Sequence, residues 1–143
     1  MTAENLTQTR EIESLHFGRL QLDPEYVYRF DEGILGFEEL KEFVLVSDDN
    51  TVPFKWLVST ESPDIGLPLI SPWLIDLGYK PGRHAQSESD VAFVVVTLSK
   101  LNGMTANMKA PIVLNTEQLS GKQVILPSDK YQTEHRVVPA SKN

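Results

Sequence analysis

A chain of 143 residues can bury about two-thirds of the surface its unfolded form exposes, so a single domain with its own core is expected. Hydrophobic residues at 41% and charged residues at 23% lie near globular averages and argue against a disordered or fibrous chain. The lack of cysteine excludes disulfides, thiolate nucleophiles and cysteine-containing zinc sites, and a net charge of −7 disfavours a phosphate backbone as partner.

Residues 1–10 are polar and lack the basic and apolar regions of a secretory signal, so a flexible N-terminal segment and a cytoplasmic protein are expected. Nine prolines and eight glycines leave no room for long helices. The segments between them are short and rich in β-branched and aromatic residues, which suit strands. Ile12 to Phe17 and Leu20 to Leu22 read as a hairpin turning at Gly18-Arg19. Tyr26 to Phe30 alternates as a strand with Tyr26, Tyr28 and Phe30 on one face. Gly33 and Gly36 bracket a loop, Glu38 to Lys41 suggests one helical turn, and Phe43 to Val46 reads as a strand. After the polar turn Ser47 to Asn50 come strands at Phe54 to Val58 and Ile65 to Ile70, where Pro68 implies an edge or a bulge.

Residues 78–90 are too polar and too rich in breakers for a sheet and read as a mobile loop. Val91 to Leu98 has no polar alternation and predicts a central strand covered on both faces. This eight-residue stretch is far short of the roughly 20 residues needed to span a bilayer as a helix. Ile112 to Leu114 and Gln123 to Leu126 predict a closing pair joined by a turn around Gly121. The expected architecture is all-β and mainly antiparallel: a small barrel-like fold, or a sandwich, of about nine short strands with little helix. One domain is expected over residues 11–131, with a flexible tail at 132–143.

Catalytic motifs are missing from this sequence. There is no Gly-x-Ser-x-Gly turn, and Gly121-Lys122 lacks the upstream Gly and following Ser or Thr of a phosphate loop, since Thr116 and Gln123 stand there. His16, His84 and His135 are far apart, and Asp48-Asp49-Asn50 lacks the ligand alternation of a calcium loop. No enzyme activity, cofactor or metal is expected. Acidic charge is concentrated early: residues 1–64 hold 14 acidic and 5 basic side chains, a net of −9, against +2 for residues 65–143. A solvated face and an acidic docking surface for a basic partner both fit that asymmetry.

More specific is the stretch Thr105-Ala-Asn107-Met-Lys-Ala-Pro111-Ile-Val-Leu-Asn115, followed by Gly121-Lys-Gln-Val-Ile-Leu126. It resembles the signature of the flagellar assembly factor FliW family. Gly33-Ile34-Leu35-Gly36-Phe37-Glu38 is similar to that family's Gly-Ile-x-Gly-Phe-Glu loop, and Lys41 to Leu45, Ser71-Pro72-Trp73 and Asp90-Val91-Ala92 follow in the family's order. The resemblance covers residues 12–131. It departs after Ser71-Pro72, where many members carry an aromatic Phe-Phe-x-Asp-Tyr-like segment and this chain reads Trp73-Leu74-Ile75-Asp76-Leu77-Gly78-Tyr79.

The resemblance implies a compact β-barrel and a cytoplasmic protein that binds flagellin and also CsrA, an RNA-binding translational repressor, by partner exchange. On that reading Asp31, Glu32, Glu38 and Glu39 are candidates for docking the basic regulator. Ile34, Leu35 and Phe37 are candidates for an apolar contact with flagellin, or for capping the barrel. Two other classes compete: a barrel enclosing a small molecule, and a hydrolase using paired carboxylates.

Overall fold

The computed structural model describes residues 10–85, 87–101 and 103–137, apart from the side chains of residues 83 and 84. The expectations for residues 1–9 and 138–143 therefore lie outside the described residues. The strands are β1 (Arg10–Ser14), β2 (Gly18–Leu22), β3 (Val27–Arg29), β4 (Glu42–Ser47), β5 (Lys55–Ser59), β6 (Gly66–Ile70), β7 (Asp90–Ser99), β8 (Gly103–Ala106), β9 (Ile112–Asn115), β10 (Ser120–Gln123) and β11 (His135–Arg136). Among the described residues helix is confined to 3-10 turns at Pro24–Tyr26, Asp49–Thr51, Pro72–Leu74 and Gly82–Ala85. The fold is all-β, as the spacing of breakers requires.

Strands β7, β6, β5, β4, β3, β10 and β9 pair in that order, and β9 returns to β7 to close a seven-stranded barrel. The ladders are antiparallel except at the β3–β10 seam, where Arg29 faces Ser120 and the Arg29 N–H donates to Leu119 O at 3.0 Å. Inward positions alternate along each strand, so Phe30, Phe43, Leu57, Leu69 and Ile112 all reach 0% exposure inside the barrel. The interior of the barrel is thus packed with side chains.

Two further cores lie on the outside of the barrel. The β1–β2 hairpin lays Ile12, Phe17 and Leu22 over Val44, Val58 and Trp56, with the Phe17 and Trp56 rings edge to face at 5.6 Å. On the far side, Ile70, Val94, Val96 and Val113 are covered by Tyr79, Met108, Tyr131 and neighbouring loops.

β7 changes partners along its length: Asp90–Phe93 pair with β9, Val94 and Val95 with β6, and Val96–Ser99 with β8. The β6–β7 ladder stops after Leu69 and Val95 for a chemical reason. The next residue in register, Pro68, has no N–H to give to the Val96 carbonyl. The strands part there. Pro68 thus marks an open end of an interior strand, a refinement of the expected edge or bulge. Beyond the fork β7 loses its second cover and Leu98 is exposed; Val91, at the other end of the strand, is also exposed, so only Ala92 to Val96 are largely enclosed, contrary to the expected coverage on both faces.

Several other expectations shift. The hairpin turns at Leu15-His16-Phe17, leaving His16 in the turn. Tyr26 leaves the predicted strand for a 3-10 turn and is half exposed. Glu38 to Lys41 form turns without a helix. Gly121 lies inside β10, paired with Leu114, and the connecting turn is at 116–119. At the start of the 78–90 segment Tyr79 is buried, with its hydroxyl donating to Met108 O at 2.7 Å. Strands β8 and β11 had no distinct sequence signal. Through β11 the sheet continues past residue 131, with His135 and Arg136 paired to Ala106 and Thr105 and the Val137 N–H donating to Met104 O at 2.9 Å.

Candidate functional site

The loop between β3 and β4 closes one end of the barrel. Its shape begins with Gly33, whose φ is +71°: a Cβ there would stand 2.6 Å from the Cα and carbonyl oxygen of Glu38, so only glycine lets the two backbone segments touch. The loop then folds on itself, with Gly33 N–H on Phe30 O, Phe37 N–H on Ile34 O and Leu40 N–H on Phe37 O. Glu38 Oε2 accepts from the Gly36 N–H at 3.2 Å.

The candidate residues separate accordingly. Ile34 is buried in the barrel core and Phe37 packs against it, so both act as the plug. Leu35 projects outward at 55% exposure. Asp31, Glu32, Glu38 and Glu39 are all exposed on the same loop. Asp31 pairs with Arg29 at 3.3 Å, with both side chains open to solvent, a contact of small net worth. Its carbonyl accepts from Lys41 Nζ at 3.1 Å. Of these acids, Glu32 and Glu38 line the same surface recess as Leu35, on a loop cross-linked by its own hydrogen bonds.

Gln123, not singled out from sequence, holds this arrangement. Its Oε1 accepts from the Leu35 N–H at 2.9 Å while its Nε2 donates to Ala110 O at 3.1 Å, tying the Gly33–Phe37 loop to the Asn107–Pro111 signature. The other signature residues fix backbone. Asn107 Oδ1 accepts from the Ala110 N–H at 3.1 Å. Asn115 Oδ1 accepts from the N–H groups of Glu117 and Gln118, and its Nδ2 donates to Asp90 Oδ1 at 2.9 Å. Among the described residues no group of histidine and acidic side chains has the arrangement of a metal site. Nor is any helix there long and apolar enough to cross a membrane.

The structure places together the segments that carried the resemblance, and comparison with known proteins agrees. A model of the FliW protein family matches residues 11–137. The flagellar assembly factor FliW of Caldanaerobacter subterraneus subsp. tengcongensis is 37% identical, over 93% of this chain and 96% of its own length. That of Leptospira interrogans is 34% identical, over 92% of this chain and 95% of its own. A crystal structure of the flagellar assembly factor FliW superposes with a TM-score of 0.80 at 33% identity, covering 91% of this chain and 98% of that one. The chain belongs to the FliW family of flagellar assembly factors.

Proposed function

We propose that this flagellar assembly factor works in the cytoplasm as a docking regulator without chemistry of its own. It binds flagellin and antagonises the translational repressor CsrA, which couples flagellin synthesis to flagellum assembly. It contacts neither nucleic acid nor membrane directly. The observation that carries the reading is the loop: Leu35 is held outward by Gln123 and flanked by exposed Asp31, Glu32, Glu38 and Glu39. A repressor that grips RNA presents basic surface, to which such an acidic rim is complementary. Complementarity of this kind speeds encounter more than it tightens a complex. Leu35 supplies the apolar contact that a secreted filament subunit, with its apolar segments not yet assembled, would use.

The test is co-purification from a flagellated host. Flagellin and CsrA should appear with the protein in separate, mutually exclusive complexes. Reversing two charges, Glu32→Lys with Glu39→Lys, should slow association with CsrA and flatten its salt dependence. Failure to retain either partner, or kinetics indifferent to both substitutions, would sink the assignment.

A further inference from the structure

Register pairs Val27 with Val44, Val44 with Val58 and Val46 with Trp56, so these five side chains share the face of β3, β4 and β5 turned away from the filled interior, where Phe43 and Leu57 point. The outer face of an antiparallel sheet is normally polar. Here it is an apolar strip with Glu42 at the end of its row. The β1–β2 hairpin covers the strip with Ile12, Phe17 and Leu22, which leaves Val44 and Val58 only 4% and 1% exposed.

That cover is not part of the barrel's ladder. β1 and β2 form a two-stranded sheet of their own, and among the described residues no main-chain hydrogen bond runs from residues 10–22 to the barrel. Among the same residues the one side-chain hydrogen-bonded tie is Arg10 on Glu42. The hairpin meets its other polar needs internally: its strands pair with each other, the buried Ser14 hydroxyl accepts from the His16 and Phe17 N–H groups, and Arg19 pairs with Glu11. Lifting it therefore strands no main-chain donor or acceptor on the barrel. What holds it down is apolar contact, including the Phe17–Trp56 ring pair, and one ion pair.

The connection suits such movement. A single 3-10 turn, Pro24–Tyr26, leads from the hairpin to β3 and closes on itself, with Asp23 Oδ1 accepting from the Glu25 N–H at 3.0 Å and Asp23 O from the Tyr26 N–H at 2.9 Å. The barrel closes through β9 and β7 without either hairpin strand. We propose that the β1–β2 hairpin is a strap, hinged at Pro24–Tyr26, that lifts from the barrel as one piece while the barrel stays closed. The protein thus has two surfaces: one in which the hairpin occupies the strip, and a minor one in which Val44, Val46, Trp56 and Val58 are bared on an otherwise intact fold. Arg10, Glu42 and Phe17 set the balance between them.

The chain has no cysteine, so a single buried thiol reports opening at its own position. Val44→Cys and Val58→Cys place one under the hairpin, and Val94→Cys places one in the core on the far side of the barrel. Each full chain is labelled with an aromatic disulfide reagent under native conditions, where the rate follows the population of the open form. The two hairpin-covered thiols should react at similar rates, about tenfold or more faster than Val94→Cys. Adding Phe17→Ala or Arg10→Ala should speed both by about threefold or more and leave Val94→Cys unchanged. In the parent, native-state hydrogen exchange should show the β1 and β2 amides opening with little denaturant dependence, ahead of β4 and β5; this measurement decides alone if a cysteine variant does not fold. The proposal is overturned if all three thiols react alike, if Phe17→Ala speeds all three equally, or if the hairpin amides open only together with β4 and β5.

Discussion

Gly121 lies flat against the ring of Phe30, so close that a Cβ on Gly121 would fall within the van der Waals envelope of the ring's Cζ, Cε1 and Cε2. Phe30 is fully enclosed and cannot swing aside. The glycine in β10 is there for steric room, and it lets the β3–β10 seam close. Gly121→Ala should destabilise the fold by about 2 kcal/mol in urea denaturation, the usual scale of overpacking. Phe30→Leu in the same chain should recover part of that loss, which an effect of glycine on chain flexibility alone would not permit.

Gln123 ties two segments with one carboxamide, and its removal separates them. Gln123→Ala should cost about 1 kcal/mol and speed amide exchange at Leu35, leaving exchange in β4 and β5 unaltered. Equal protection of Leu35 in the variant would show that the loop holds itself.

Tyr79 explains why a chain departing from the family's aromatic segment keeps that region ordered. Its ring packs on Trp73 and on Tyr131 at 5.9 and 4.6 Å, Trp73 Nε1 donates to its carbonyl, and the Tyr131 hydroxyl accepts from the Lys80 N–H. Burial, and then the neighbouring Tyr131, push its phenol well above the ordinary tyrosine range. Tyr79→Phe leaves the Met108 carbonyl without this donor and should cost about 1–2 kcal/mol at neutral pH. Because the folded value is raised, that stabilisation is complete below about pH 10 and fades as pH climbs through the folded value. Denaturation curves of parent and variant should converge in strong base.

Glu42 joins the hairpin to the barrel. Arg10 Nη2 and Nη1 reach its two oxygens at 2.7 and 3.3 Å, and the Thr60 hydroxyl donates to Oε1 at 2.6 Å. The hydrogen bond from Arg10, then that from Thr60, holds the carboxyl below its usual range. A lowered folded value means stability present above about pH 4.3 and lost as pH falls through that folded value. Glu42→Gln should therefore differ from the parent at neutral pH and match it in strong acid. Arg10 is 61% exposed, so added salt should shrink the neutral difference.

Much of this protein was legible before any tertiary contact was known. Proline and glycine spacing forbade long helices, alternation at Tyr28 and Phe30 marked inward faces, and the Gly33–Glu38 and Asn107–Asn115 stretches carried the family. These are local properties, set by backbone sterics and side-chain period. Strands β8 and β11 were missed because Gly103–Ala106 and His135–Arg136 have weak intrinsic preference and exist as strands only through their neighbours in the sheet. The site divided the same way. The loop at 33–39 was visible as a motif, but which of its residues plug the barrel and which face outward depended on closure of the sheet. Gln123 stood inside a signature segment, but nothing there told of its role. That role arises from a group 88 residues away, a contact that no period along the chain encodes.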